Sequence, residues 1–416
     1  MNLAPSPFAP AEFPALPAVR GVAAATASRG FYASQGVIRD DVFLFAFDPA
    51  ASAAGVFTRS ATRSADVDWC REALLTGGGR ARAVIANSGN SNAFTGRFGA
   101  EKNDATLDAL ERALGAPRLE CFLAATGVIG EPLPSADYVA SAVPGLAARL
   151  GPADWEACAR AFMTTDTYPK GAGAETRIGD TPVSIAGIAK GSGMIAPDMA
   201  TMLAYVFTDA AIAPSALQAL LSRHVDRTLN AITVDGDTST SDTCMLFATG
   251  ASGAPLIEDP GDPRLADFDA ALGDVMRSLA CQLVKDGEGA SKFIEISVSG
   301  AVSDVSAKAV AAAVANSPLV KTALAAGDAN WGRLIMAIGK SGEPIERDAI
   351  EIHIGGVEVA REGARAPGYE EAAASAACAK PEISIDIRLG DGRGAFTMWT
   401  CDLTHAYIDI NGAYRT

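Results

Sequence analysis

Histidine is scarce in this chain of 416 residues, which contains only His224, His353 and His405. None of the three stands beside a G-x-S-x-G nucleophile elbow or in an H-E-x-x-H zinc-binding spacing. The sequence therefore lacks the patterns of the α/β-hydrolases and zinc proteases, and any acyl chemistry needs a base other than histidine. Phosphate-binding motifs are missing too, since no G-x-x-x-x-G-K-S/T occurs and no G-x-G-x-x-G opens a helix.

Paired cysteines and long apolar runs are also missing. Seven cysteines are scattered without a C-x-x-C spacing, so neither a disulfide framework nor a zinc site is predicted. No apolar run is long enough to span a bilayer, and the proline-interrupted N-terminus lacks the regions of a signal peptide. We therefore expect a cytoplasmic protein with no membrane partner.

Basic residues are outnumbered, with 34 Lys and Arg against 49 Asp and Glu, a formal net charge of -15 and a pI near 4.7. This charge argues against nucleic acid as a partner. Most of the excess follows residue 200, in a half that can attract a cationic substrate such as a diamino acid. Solvated surface carboxylates are the simpler explanation for most of these residues.

Apolar runs of strand length alternate irregularly with amphipathic helical patterns, which predicts a mixed α/β fold. Residues 1–30 are interpreted as an ordered lead-in, and a change in composition near 285–300 predicts a boundary before a smaller α/β unit. The predicted strands include 42–47, 55–58, 83–86, 121–125, 183–188, 202–207, 244–248, 293–298, 334–338, 350–354, 383–389 and 395–401. The predicted helices include 104–114, 138–150 with Pro144 ending or kinking it, 155–163, 216–229, 265–284 and 305–326 with a break at Ser317-Pro318.

The segment 190–203 is the most informative, because Thr201 follows Ala200 behind a glycine-rich turn and precedes an apolar run. A peptide bond before threonine can be broken by that residue's own hydroxyl through an acyl shift from nitrogen to oxygen. The released α-amine, with an ordinary pKa of about 7.7–8.0, can then act as a base toward the hydroxyl. Taken alone, a threonine that opens a strand explains the same segment.

Other polar segments punctuate the apolar background. Thr126 and Gly127 follow a predicted strand, and a hydroxyl beside a glycine amide suits an oxyanion, although a strand-ending turn explains them equally well. The loop 234–243 resembles a cation-binding loop in composition but lacks the EF-hand pattern, so no metal site is predicted. The segment 164–170 suits a polar pocket wall.

Together these segments resemble the ornithine acetyltransferase family, the bifunctional glutamate/ornithine N-acetyltransferases of the cyclic arginine pathway. The resemblance implies a layered αββα-type sandwich of the ornithine acetyltransferase/aminopeptidase type, with a smaller α/β C-terminal domain that completes the active site. It divides the chain into 1–200, 201–290 and 291–416. The segments that carry the resemblance, in order, are 87–96, 125–130, 164–170, 187–203, 234–243, 286–292, 328–333 and 407–416.

The resemblance also implies an activity. The chain would cleave itself between Ala200 and Thr201, and the two products would stay associated, in a homo-oligomer of such αβ units. Thr201 would accept the acetyl group of N2-acetyl-L-ornithine and pass it to L-glutamate in a ping-pong cycle. No cofactor or metal is implied, and acetyl-CoA serves as a further acetyl donor in bifunctional members.

Residue roles follow by motif. Thr126 and Gly127 would stabilise the oxyanion, Glu288 would pair with the substrate's ammonium group, and Lys190 would pair with its carboxylate. Thr164 and Thr165 remain alternatives to Thr167, because three hydroxyls crowd that loop. The implied substrate-binding residues are Thr167, Lys190, Thr201, Glu288, Asn411 and Thr416.

The chain departs from the family pattern at a few positions. Ala196 and Asp198 stand where histidine and asparagine are expected before the cleavage point, and Ser91 and Phe94 vary the Asn-rich loop, so the rate of self-processing is open. Two other hypotheses remain: a self-processing amidase or aminopeptidase of the same fold, in which water takes the acyl group, and a member that no longer processes itself.

Overall fold

The computed structural model describes residues 4–196 and 202–413. They form two compact units. The first, here the sandwich unit, comprises residues 10–196, 202–230 and 237–283. The second, here the C-terminal unit, comprises residues 4–9, 231–236 and 284–413. The predicted division at residue 200 follows the cleavage hypothesis, and the one at residue 290 follows the change in composition; both stay predictions.

The described residues form two mixed sheets and eleven α-helices. The strands are β1 Val22–Ala27, β2 Val42–Phe57, β3 Arg80–Asn87, β4 Cys121–Ala125, β5 Gly151–Pro152, β6 Lys170–Ile178, β7 Thr181–Lys190, β8 Leu203–Thr208, β9 Ile232–Thr233, β10 Thr243–Ala248, β11 Phe293–Ala301, β12 Glu351–Ile354, β13 Val357–Arg361, β14 Ala364–Arg365, β15 Glu382–Arg388 and β16 Gly394–Cys401. The helices are α1 Ala65–Thr76, α2 Arg97–Leu114, α3 Val143–Ala147, α4 Trp155–Ala161, α5 Pro214–Arg227, α6 Ala266–Lys285, α7 Asp304–Ala315, α8 Pro318–Ala325, α9 Trp331–Gly339, α10 Glu371–Cys378 and α11 His405–Ala413.

Strand β2 makes the sandwich unit a two-layer structure. Its first half pairs with β1 and its second half pairs with β10, which in turn pairs with β8. The rings of Phe43 and Phe45 on β2 nevertheless contact Tyr205 and Phe207 of β8, at centroid distances of 5.4 and 4.5 Å. Since β10 separates β2 from β8 in the sheet, these contacts require the sheet to fold over at β2, so that its two parts face each other across an aromatic core.

Helices cover the outer faces of both layers. Leu107 and Leu110 of α2 pack with Val143 of α3 against one layer. On the other layer, Val275 and Leu279 of α6 lie over β7, and α5 packs against β2 and β10. The order helix, sheet, sheet, helix confirms the predicted αββα sandwich.

The C-terminal unit carries the second sheet, in the order β14-β13-β12-β15-β11-β16-β9. Strand β11 runs parallel to β15 and antiparallel to β16, which makes the sheet mixed. Helix α7 packs against β11 and β16 and buries Val310, Ala311 and Val314. This arrangement is a mixed α/β structure of its own.

Several predicted elements were wrong in detail. The run 334–338 lies in α9, where Leu334, Ala337 and Ile338 are buried at helical spacing. A short apolar run does not distinguish a strand from a buried helix. Pro144 neither ends nor kinks a helix over 138–150, because it lies in the first turn of the short α3, where proline needs no N–H partner.

Two further differences concern the first sheet. The runs 42–47 and 55–58, predicted as separate strands, belong to one continuous β2, which ends at Phe57. The lead-in contributes β1 to the same sheet. Among the residues that the structure describes, no helix has the length and apolar character needed to cross a membrane.

Candidate active site

Thr201 and Ala200, together with Thr416, lie outside the described residues, and the site is therefore built from what surrounds them in the chain. Strand β8 begins at Leu203, two residues after Thr201, and lies in the interior of its layer between β7 and β10. Leu203 pairs with Lys190 across the antiparallel β7–β8 ladder and with Thr243 on β10. The predicted nucleophile thus precedes a buried central strand, with Lys190 opposite its start.

The turn after β4 carries Thr126 and Gly127. The Thr126 N–H donates to the carbonyl of Asn87 at 3.0 Å, and the Thr126 side chain is half-buried. Gly127 has φ of +129°, and a Cβ there would clash with the backbone of Gly89 and lie 2.7 Å from the nitrogen of Asn90. Only glycine fits this close approach, which fixes the backbone at the position predicted to serve an oxyanion.

The Asn-rich loop 87–96 holds that turn in place. Asn90 forms bridges to Thr126 and Val128, and its side-chain amide donates to the carbonyl of Glu131 at 2.7 Å. The N–H of Ser91 donates to the Val128 carbonyl at 3.0 Å. These contacts explain the polar composition of the loop as a scaffold for the turn.

Lys190 lies beside Thr126. Its Nζ donates to Thr126 Oγ1 at 3.3 Å, and only 8% of the residue is exposed. Because the hydroxyl oxygen accepts this bond, the hydroxyl hydrogen stays available for an acceptor such as an oxyanion. The structure therefore brings together three of the predicted residues, Lys190, Thr126 and Gly127.

A buried ion pair that the sequence analysis did not identify lies in the same unit. Asp166 Oδ1 accepts from Lys170 Nζ at 2.7 Å and from the N–H of Gly191 at 2.6 Å, while Oδ2 accepts from the N–H of Thr164 at 2.9 Å. Burial alone would raise the pKa of Asp166, but Lys170, Lys190 and these bonds hold it well below its ordinary range. The cluster thus brings a buried carboxylate close to two lysines.

The loop that carries Asp166 also carries the predicted threonines. Thr167 is half-buried directly after Asp166, and Thr165 is buried directly before it. Their neighbour Asp166 anchors the loop to the end of β7 through Gly191. The assignment of Thr167, rather than Thr164 or Thr165, as the substrate-contacting residue stays a prediction.

Glu288 and Asn411 lie together in the C-terminal unit. The Asn411 side-chain amide donates to Glu288 Oε2 at 2.7 Å, and Glu288 is only 7% exposed. Thr404 Oγ1 donates to the carbonyl of Gly289 at 2.7 Å. Gly289 has φ of +72°, and a Cβ there would lie 2.7 Å from the nitrogen of Tyr407, so glycine lets α11 lie directly against this loop. The result is a nearly buried carboxylate, a suitable partner for an ammonium group.

The loop 234–243 was compared above with a cation-binding loop. Within residues 4–196 and 202–413, no group of three or more His, Cys, Asp or Glu side chains has an arrangement that could hold a metal ion. Asp235 instead accepts a hydrogen bond from the hydroxyl of Tyr407 at 3.3 Å.

An αββα sandwich with a hydroxyl and a nearly buried lysine in contact, beside a close-packed glycine, is compatible with an α/β-sandwich acyltransferase. The sequence matches the ArgJ family over residues 24–416. The chain belongs to this family and is an enzyme of arginine biosynthesis, which confirms the predicted resemblance.

Individual proteins are similar to this chain. The arginine biosynthesis bifunctional protein ArgJ of Brucella suis biovar 1 (strain 1330) is 54% identical over 420 residues, which cover 100% of both chains. The crystal structure of ArgJ from Bacillus halodurans shares 40% identity, with a TM-score of 0.48 over 50% of this chain and 96% of that chain. An ornithine acetyltransferase from Mycobacterium tuberculosis, solved in complex with ornithine, shares 34% identity, with a TM-score of 0.38 over 44% of this chain and 94% of that chain.

Proposed function

We propose that the chain cleaves itself between Ala200 and Thr201 and then transfers acetyl groups from N2-acetyl-L-ornithine to L-glutamate through acetyl-Thr201. The observation that carries this proposal is the contact of Lys190 with Thr126 beside the close-packed Gly127, opposite the start of β8. The arrangement supplies oxyanion donors and a cation without a histidine.

In the first half-reaction, Thr201 Oγ attacks the acetyl carbonyl carbon and its proton passes to the α-amine of Thr201. The Thr126 hydroxyl and the Gly127 N–H donate to the developing oxyanion. The carbon–nitrogen bond then breaks, and the proton held by the α-amine moves to the departing nitrogen of ornithine. Acetyl-Thr201 remains, and the amine of glutamate attacks it in the second half-reaction.

Both substrates carry an α-carboxylate, and the nearly buried ammonium of Lys190, in contact with Thr126, suits that shared group. We propose Lys190 as its direct partner, since a charge-assisted hydrogen bond to a carboxylate is among the stronger polar contacts. Glu288 is proposed as the partner of the side-chain ammonium of ornithine, with Asn411 orienting the carboxylate through its bond to Oε2.

Incubation with N2-acetylornithine, with and without glutamate, tests the transfer. A transferase releases a full yield of ornithine and forms N-acetylglutamate only when glutamate is present, and mass spectrometry without acceptor detects an acetyl group on the fragment that begins with Thr201. An amidase would instead release acetate at the same rate whether or not glutamate is added. That second result would replace the proposal with the hydrolase alternative.

We extend the proposal to acetyl-CoA as a second acetyl donor and to an oligomer of αβ units. The relatives named bifunctional motivate the first extension. Formation of N-acetylglutamate from acetyl-CoA and glutamate alone tests it. Light scattering on the purified protein tests the oligomer, because a mass of one 42.5 kDa unit would contradict it.

A further inference from the structure

Asp66 and Lys102 form a buried ion pair in the sandwich unit that the proposed transfer reaction does not use. Asp66 lies in the first turn of α1, and Lys102 lies in α2. Lys102 Nζ donates to Asp66 Oδ1 at 2.6 Å, and the two side chains are only 3% and 1% exposed. Replacing a buried ion pair with apolar residues of similar volume is often neutral or stabilising. Stability alone therefore does not account for these two charges.

The second oxygen of the carboxylate contacts the Asn-rich loop 87–96. Asn92 Nδ2 donates to Asp66 Oδ2 at 2.6 Å and to Asn103 Oδ1 at 3.2 Å. The side-chain oxygen of Asn92 accepts from Thr95 Oγ1 at 3.0 Å. All of these groups are buried. The side chain of Asn92 is thus held by α1, by α2 and by its own loop.

The backbone of Asn92 is the part of the loop that these contacts fix. Its φ is +52°, in the left-handed region that asparagine adopts more readily than most residues with a side chain. Its N–H donates to Asn90 Oδ1 at 2.9 Å, and its carbonyl accepts from the N–H of Ala65 at 3.4 Å. The ion pair is therefore connected through one amide side chain to the conformation of the loop.

Asn90 continues this connection to the turn that carries Thr126 and Gly127. The Asn90 side chain accepts from the Asn92 N–H with its oxygen and donates to the carbonyl of Glu131 with its nitrogen. Its backbone forms a bridge with Thr126. A Cβ at Gly127 would lie 2.7 Å from the nitrogen of Asn90. Because the two backbones approach this closely, a displacement of Asn90 would also displace the turn.

We propose that Asp66 and Lys102 are positioning residues for the predicted oxyanion donors Thr126 and Gly127. They act through Asn92 and the loop that it holds, and the inference rests on the transfer reaction proposed above. Donors to an oxyanion act on the transition state, and a misplacement of about 1 Å caused by a distant mutation can cost about 10²-fold in rate. Loss of the ion pair should therefore lower kcat more than it changes KM.

Lys102→Met tests the pair directly, because it removes the cation and leaves the buried Asp66 carboxylate in place. We expect kcat to fall by about 10-fold or more. KM for N2-acetylornithine and for glutamate should stay within about twofold of the wild-type values. The formation of N-acetylglutamate gives both constants, intact mass gives the fraction of cut chain by which kcat is normalised, and urea unfolding gives the stability separately.

Asn92→Gly tests the route through the loop. Glycine adopts a φ of +52° without strain, so the backbone conformation stays accessible while the side chain that contacts Asp66 is removed. The fall in kcat should match that of Lys102→Met. Adding Lys102→Met to Asn92→Gly should lower the stability further but not kcat, because the connection to the turn is already broken. This variant also tests the proposal where Lys102→Met does not fold.

Arg118→Met provides the control. Arg118 pairs with Asp104 and Asp108 on the exposed side of α2, so this substitution also removes a cation that pairs with a carboxylate, but outside the buried network. Its kcat should equal that of the wild-type enzyme. Circular dichroism reports whether each variant is folded.

The outcomes are distinct. A folded Lys102→Met or Asn92→Gly enzyme with the wild-type kcat would overturn the positioning role and leave the transfer reaction intact. Losses in kcat that multiply in the double variant would also overturn it, because the two residues would then act independently. A wild-type enzyme that forms no N-acetylglutamate would instead overturn the proposed transfer, and the positioning role with it.

Discussion

Replacing Gly127 with alanine tests the geometry of the predicted oxyanion site. The residue has φ of +129°, which costs of order 1–3 kcal/mol for a residue with a side chain. The new methyl group would also clash with the backbone of Gly89 and lie 2.7 Å from the nitrogen of Asn90, and such overpacking costs about 1–3 kcal/mol. Together these effects predict a loss of about 2–6 kcal/mol in the free energy of unfolding, with the N–H of residue 127 displaced.

Gly130 provides a matched control in the same turn. Its φ is +78°, but its nearest neighbour to an added Cβ is a ring carbon of Phe94 at 3.9 Å, so Gly130→Ala introduces backbone strain without a clash. Urea unfolding should show Gly127→Ala to be about 1–3 kcal/mol less stable than Gly130→Ala. Turnover of the folded Gly127→Ala fraction should fall by about 10²–10³ as an oxyanion donor is lost. Equal stability and equal turnover in the two variants would refute the close-approach argument.

Three further predictions concern the proposed mechanism. Thr201→Ala should give a folded, uncut chain without transfer activity, and turnover by this variant would remove Thr201 as the nucleophile. Thr126→Ala should lower kcat by about 10²–10³-fold if its hydroxyl serves the oxyanion, whereas an unchanged kcat would exclude that role. Lys190→Met should raise KM for both substrates. It should also move the acid limb of the pH–rate profile to higher pH, because a nearby cation lowers the pKa of an α-amine. An acid limb at the wild-type pH would contradict the proposed base.

The sandwich was predictable because its strands are strongly apolar runs. The strand β8 and the turn at Thr126 and Gly127 follow from composition and motif, and the family resemblance predicted their arrangement in layers. The bend of the first sheet at β2 could not be predicted from the sequence in this way. Its Asp48-Pro49 step is typical of a turn, and only the neighbouring β3 and β10 show that one strand continues through it.

The site residues that were not predicted from the sequence owe their importance to burial. Asp166 and Lys170 are four residues apart within a segment that was singled out for its hydroxyl groups, but on a surface this spacing would be an ordinary ion pair of little consequence. Their importance comes from full burial between β6 and the end of β7, which depends on packing far along the chain. Asp242, directly before β10, shows the same effect outside the candidate site, because its sequence context resembles a solvated loop and its burial is a tertiary property.

The scarcity of histidine and the nearly buried ammonium of Lys190 fit the proposed transfer, in which the α-amine of Thr201 is the base. An α-amine with an ordinary pKa near 8 is largely protonated at neutral pH and is then a poor base. In the proposed scheme, the ammonium of Lys190 disfavours a second cation nearby, so it favours the neutral amine while it also attracts the carboxylate of either substrate. Burial raises the pKa of Asp242 well above its ordinary value, so this carboxyl adds no negative charge that would offset the nearby ammonium of Lys190.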